Sequence, residues 1–395
     1  GQMGCGGSKE GASAPTKPEA GADAKGTAAV ATTIQGASTV PLHSKYELGK
    51  TLGSGSFATA RIATVKATGE KVAIKTLMRS HDNFDKELLE HEITVMRKLN
   101  SQYCIQLIEV VEDAKAVHLV EELATGGELF DRILELGHFS EKDAARVINQ
   151  VMQGIAHMHD HGACHRDLKP ENLLMLSGEK DSPDYNRVKI ADFGLSSLRP
   201  TEDSSMSTVC GTPDYLAPEV IMIAAEGPHS RRKYDAKVDV WAIGVILYTM
   251  ICGFPPFWSE NMAEMLHLIK HGEYSFPSPS WDKVAKSTKD FITMMLTTDP
   301  NKRPTSRECL QHPFLADAET LSGEDLEQKE TLHKYVESRR TGKIFRAVRV
   351  VARMEIATRN QHSRENREAA DQKAADGQAA ETPAQPAPAE PAQPA

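Results

Sequence analysis

No run of apolar residues in this 395-residue chain approaches the roughly 20 needed to cross a bilayer as a helix. Paired cysteine spacings are missing as well. The six cysteines, Cys5, Cys104, Cys164, Cys210, Cys252 and Cys309, stand apart from one another and from histidine. That scatter argues against a zinc site or disulfide framework and for free thiols in a reducing compartment. Positive charge is in deficit: the formal net charge is −9, which disfavours broad nucleic-acid binding, one basic patch near the C-terminus apart. Residues 1 to 43 hold no aromatic side chain, and from Asn366 onward the chain falls into Ala, Gln, Glu and Pro. Neither stretch can build a core. There is no internal repeat and no DxDxDG-type calcium loop. What remains, at 40% hydrophobic residues overall, is a central body large enough to bury a core.

The most informative stretch of that body is His165-Arg166-Asp167-Leu168-Lys169-Pro170-Glu171-Asn172, followed after a strand-like run by Asp192-Phe193-Gly194. One loop carries a carboxylate, an amine and an amide, and the next adds a carboxylate. Phosphoryl transfer needs such a set: a group to orient a hydroxyl and accept its proton, a cation beside the transferring phosphoryl, and oxygen ligands for magnesium. Upstream, a strand from Tyr46 to Leu52 enters Gly53-Ser54-Gly55-Ser56-Phe57-Ala58, and a second strand, 60 to 65, leaves it. Glycines there let backbone amides approach phosphate oxygens. A GxG after a strand also fits a plain hairpin. Val72-Ala73-Ile74-Lys75 follows, and then Leu88, Leu89, Ile93, Met96 and Leu99 recur at helical spacing over residues 87 to 99. Glu90 and Glu92 both lie on that helix. A second helix is expected from 144 to 159, with Ile148, Val151, Met152, Ile155 and Met158 on one face. His157, His159 and His161 alternate at its end. Residues i and i+2 point to different faces of a helix, so these read as surface or capping histidines rather than metal ligands.

These motifs together resemble the eukaryotic protein serine/threonine kinases, and the wording Gly126-Gly127-Glu128-Leu129-Phe130-Asp131 and Cys252-Gly253-Phe254-Pro255-Pro256-Phe257-Trp258 is closest to the calcium/calmodulin-dependent and calcium-dependent groups. The resemblance implies an α+β, two-lobed fold, with a small β-rich N-lobe at 46–124 and a larger helical C-lobe at 125–315. It implies Asp167, Lys169 and Asn172 as catalytic residues, and Asn172 and Asp192 as magnesium ligands. ATP would lie against Leu52, Gly53, Ser54, Gly55, Ser56, Phe57, Ala58, Ala60, Ala73, Lys75, Glu122, Leu123 and Leu174, with Glu92 pairing Lys75. Residues 201 to 219, ending in Ala217-Pro218-Glu219, resemble an activation segment in which Thr208 is the favoured phosphorylation site and Arg166 its partner. Arg303 is the expected partner of Glu219. Thr212 would hydrogen-bond Asp167 and Lys169. Glu128 and Glu171 would recognise basic residues upstream of the target hydroxyl. Three departures stand out. Ala58 replaces a usual glycine and is tolerated if its φ is negative. Ala60 replaces a valine and widens the nucleotide pocket. Glu121 replaces an apolar residue, so its carboxylate must find water, a hydrogen bond or a cation, for which Lys75 is a candidate. Residues 223 to 233 read as a surface insertion.

Residues 1–45 read as a structureless leader and 366–395 as a structureless tail. Met3-Gly4-Cys5-Gly6-Gly7-Ser8 fits a myristoylation pattern if Gly1-Gln2 precedes a native start at Met3, with Cys5 as a second acyl site. The expected setting is cytoplasmic, with peripheral membrane attachment through those two residues. Residues 316–365 form a helical extension. Within it, Leu332 to Arg359 carries Lys343, Arg346, Arg349, Arg353 and Arg359 beside Ile344, Val348 and Val351. A basic amphipathic helix of this kind suits a calmodulin-like groove, a membrane surface or docking on its own lobe. Its place behind the catalytic region favours, by resemblance, an autoinhibitory and calmodulin-binding role.

Overall fold

A computed structural model describes residues 34–54, 58–81, 84–194, 196–198, 213–226 and 234–340. Its first lobe is a five-stranded antiparallel sheet of order β1-β2-β3-β5-β4. A short helix, α1 (Leu42–Lys45), leads into β1 (Tyr46–Ser54), β2 (Thr59–Val65) and β3 (Lys71–Met78); helix α2 (Lys86–Lys98) then crosses to β4 (Leu107–Glu112) and β5 (Ala116–Glu122). The alternation of a strand decides which side chains reach the cleft. Val72 and Ile74 of β3 are buried with Tyr46, Ala63, Val111 and Val120, which leaves Ala73 and Lys75 on the opposite face. Asp85 caps α2 by accepting from the Leu88 amide. Its buried face, Leu89, Ile93 and Met96, also carries Glu92.

The second lobe holds α3 (Leu129–Glu135), α4 (Glu141–Asp160), β6 (Ala163–Cys164), β7 (Leu173–Met175), β8 (Val188–Ile190) and β9 (Ser197–Leu198). After these come α5 (Pro218–Glu226), α6 (Lys237–Cys252), α7 (Met262–His271), α8 (Lys286–Met295), α9 (Ser306–Cys309), α10 (Pro313–Ala316) and α11 (Lys329–Arg340). Ser140 and Asp143 form a reciprocal capping box at the start of α4. Helix α6 is apolar all round, and every residue from Val238 to Cys252 is buried, so it is the axis on which the lobe packs. It ends at Gly253 with φ +85°; a Cβ there would lie 2.7 Å from the Leu332 amide nitrogen. Glycine is required because α11 begins against that cap.

Two boundaries differ from expectation, and a third element lies where it was expected. Residues 34–45, assigned by composition to the leader, are structured, and Ile34 is buried in the main core. The supposed insertion cannot begin at Ile223, which is buried within α5; 227–233 lie outside the described residues. The extension behind the second lobe is seen as α11, whose Leu332, Tyr335, Val336 and Arg339 are buried. Residues 341–359, which carry most of the basic amphipathic pattern, lie outside the described residues.

Candidate active site

Strand β3 offers Lys75 to the cleft, and α2 brings Glu92 to meet it: Nζ donates to Glu92 Oε1 at 2.8 Å and to Asp192 Oδ1 at 3.2 Å. Glu92, not Glu90, is therefore the partner; Glu90 sits on the solvent side, 3.5 Å from Lys86. Burial works against the Lys75 charge, but Glu92, Asp192 and Glu121 outweigh it and hold the ammonium's pKa above its ordinary value. The Asp192 carboxyl is opposed by burial and lowered by Lys75, so it stays ionised.

The residues expected to be catalytic lie below. Lys169 Nζ donates to Asp167 Oδ2 at 2.5 Å, and Asn172 Nδ2 donates to the Asp167 carbonyl at 2.8 Å. The loop hangs from Asp239 of α6, whose carboxylate accepts from the amides of His165 (2.9 Å) and Arg166 (2.8 Å) and contacts His159 Nε2 at 2.9 Å. Arg166 and Asp192 both adopt positive φ, +70° and +62°. Strained backbone of this kind persists only where the surroundings over-determine it. The β7–β8 pair joins the two loops, and the Ala191 amide donates to the Asn172 carbonyl at 2.9 Å.

Hard oxygen ligands suit magnesium. The Asn172 amide commits its nitrogen to Asp167, which leaves Oδ1 as acceptor, and Asp192 uses only one oxygen for Lys75. The donor set therefore fits the expected ion.

Other expectations meet mixed outcomes. Leu52, Gly53 and Ser54 are exposed at the end of β1, and Ala60, Ala73, Leu123 and Leu174 are half-buried. Gly55, Ser56 and Phe57 lie outside the described residues, as do Thr208 and Thr212. Ala58 is not among the described non-glycine residues with positive φ, as its tolerance requires. Glu122 is engaged otherwise than expected. Its carboxylate accepts from Lys189 Nζ at 2.6 Å and from the Gln106 amide at 3.3 Å, and its own N–H donates to the Gln106 carbonyl at 2.9 Å. Of its backbone groups, the carbonyl is the one left for a nucleotide. Glu121 lies opposite Ala73 in the β3–β5 register. Lys75 spends its hydrogen bonds on Glu92 and Asp192, so it reaches Glu121 only through its field. Burial pushes the Glu121 carboxyl up to about 7; Lys75 opposes this, while Glu92 and Asp192 add to it.

Sequence reasoning missed His159 and Lys189. Nothing in the helical spacing marks His159 as a ligand of Asp239, because the partner lies 80 residues away. It also missed Arg339, which donates to Glu171 from Nε (3.0 Å) and Nη2 (2.6 Å) and to Asp214 from Nη1 (2.8 Å). Burial raises the Asp214 carboxyl above its usual range, although Arg339 opposes that. Arg340 pairs with Asp131 beside it. Glu219 and Arg303 meet as expected, in a bidentate pair at 2.7 and 2.9 Å.

A β-rich lobe with a lysine–glutamate pair, closed on a helical lobe with two acidic loops, defines a two-lobed phosphotransferase. Residues 46–315 match the family described as the protein kinase domain, and the chain belongs to that family. It is similar to a calcium/calmodulin-dependent protein kinase type 1 of Macrobrachium nipponense, 42% identical over 80% of this chain and 88% of the relative. The type 1 kinase of Caenorhabditis elegans is 39% identical over 82% and 89%. A probable myosin light chain kinase of Dictyostelium discoideum is 43% identical over 69% of this chain and 67% of that protein.

Proposed function

We propose that the chain phosphorylates serine or threonine in proteins carrying a basic residue a few positions upstream, using ATP and magnesium, and that its C-terminal extension restrains it until a calmodulin-like protein binds. When bound, ATP supplies the phosphoryl group and magnesium screens its charge. The chain's own residues do the rest. Asp167 orients the substrate hydroxyl and takes its proton on the carboxylate, whose Oδ2 is held by Lys169. Lys169 would lie beside the transferring group and offset its charge. Lys75, held by Glu92, would hold the inner phosphates, and Asn172 Oδ1 with Asp192 would hold the ion. The Lys75–Glu92–Asp192 contact carries this reading, because it joins both lobes at the point where the phosphates must lie.

Restraint by the extension is supported by Arg339. A cation of the chain's own tail holds Glu171 and Asp214, where Glu171 is one of the carboxylates assigned to an arginine of the substrate. The similarity to kinases named as calcium/calmodulin-dependent favours calmodulin-like control over permanent docking. Phosphate on Thr208, read out through Arg166, and acylation of Gly4 and Cys5 complete the reading; their tests are Thr208→Ala kinetics and membrane fractionation of Gly4→Ala. The central experiment is radiolabelled phosphate transfer to a basic-directed serine peptide, with and without calcium and calmodulin. Activity is expected to rise with calmodulin in the wild type, and Arg339→Ala is expected to be active without it. A peptide-kinase activity indifferent to both would remove the regulatory part; no transfer in any condition would remove the whole.

A further inference from the structure

Residues 34–41 precede the region that matches the kinase family, yet they are bound to the helix that carries Glu92. Ile34 is 1% exposed, in the same core cluster as Leu89, Ile93 and Met96 of α2. Its amide donates to Glu112 Oε1 at 3.4 Å, and Glu112 is in turn held by Arg79. Arg97, in the last turn of α2, donates to the Gln35 carbonyl at 2.6 Å and to the Gly36 carbonyl at 3.1 Å. Gly36 has φ +71°, and a Cβ there would stand 3.2 Å from the Arg97 guanidinium. A side chain there is therefore strained by the backbone conformation, and the arginine would have to give by a few tenths of an ångström. Ser38 then pairs with β4: its amide donates to the Val110 carbonyl at 2.8 Å, and its carbonyl accepts from the Glu112 amide at 2.9 Å. The segment ties the C-terminal turn of α2 to the strand that follows it.

We propose that Ile34 and Arg97 are positioning residues for the phosphoryl transfer, acting through α2 to keep Glu92 on Lys75. The inference deepens the proposed function and rests on its reading of the Lys75–Glu92 pair. The physical reason is leverage. Helix α2 reaches its own sheet through one apolar face, and the Lys75–Glu92 contact survives only within a hydrogen-bond length. Two hydrogen bonds from Arg97 to carbonyls and one isoleucine buried in the core that α2 packs on restrict how far the helix can swing.

The test is a double-mutant cycle in the full-length chain, following peptide phosphorylation at varied ATP. Ile34→Asp is expected to lower kcat/KM for ATP roughly tenfold, with the peptide KM unchanged, and Ile34→Val to restore it. Arg97→Ala, which leaves the core intact, is expected to lose severalfold and serves if the aspartate variant does not fold. In a Glu92→Gln background the same changes should cost less than about twofold more, because the pair they protect is already gone. Equal losses in both backgrounds, or a fall in kcat with the ATP KM unmoved, would overturn the inference. Full activity of Lys75→Met would instead overturn the reading beneath it.

Discussion

Two ion-pair systems, one buried inside the second lobe and one partly exposed between the lobes, are built to different ends. Arg303 and Glu219 pair one to one, bidentate at 2.7 and 2.9 Å, with the guanidinium 5.1 Å over the Trp241 ring and a further bond to the Thr297 carbonyl at 3.0 Å. Every charge there has its match. Lys75, in contrast, is one cation among three carboxylates, Glu92, Asp192 and Glu121. The first arrangement is finished when the chain has folded. The second leaves negative charge in excess, which suits a site that must take up a cation and then anionic phosphates. Closed pairs hold the fold, whereas unbalanced clusters mark where a ligand is expected.

The largest effects should come from the unbalanced cluster. Asp167→Asn, Lys75→Met and Asp192→Ala are each expected to lower peptide phosphorylation about a hundredfold or more, with thermal midpoints close to wild type. Activity assays paired with melting curves check this. Near-normal turnover by any one would break the comparison, because the unbalanced site would then not be the working one.

Arg303→Leu should behave in the opposite way. It strands the buried Glu219 carboxylate and is expected to cost about 3–5 kcal/mol of stability, seen as a lower denaturant midpoint. Activity per folded molecule should fall far less than in the cleft variants.

The smallest effect concerns Glu121. Its carboxyl titrates at about 7 in the folded chain against an ordinary 4.5. Below the lower value both states hold the proton and nothing is lost. As pH rises from there to about 7, the unfolded chain releases its proton first, so stability drains away and then levels off. Glu121→Gln should therefore match the wild type at acid pH and exceed it at pH about 8, by on the order of 1–3 kcal/mol. Denaturant titrations at the two pH values measure the difference. An equal gain at both would show that charge is not its source.

Much of this was legible in the chain. The catalytic loop, the Asp192 loop, the β3 lysine and the choice of Glu92 follow from contiguous motifs, because each chemical group is carried by a short segment whose local conformation presents it. Helices α2 and α4 were readable within three residues of their ends, since their apolar faces repeat at helical spacing. The leader was misjudged at its end. A lone Ile34 among Ala, Thr and Gly has no periodicity, and it is buried in a core built by residues far later in the chain.

By itself, then, the order of residues determined the two-lobed class, the candidate reaction groups and their likeness to protein kinases, since those rest on local spacing. Only the tertiary structure decided which charges meet. His159 with Asp239, Lys189 with Glu122, Arg339 with Glu171 and Asp214, and Arg97 with the 35–36 backbone are separated by 61 to 168 residues. Side chains so far apart in sequence are brought together by packing, and packing is set by the sum of all buried faces rather than by any one motif.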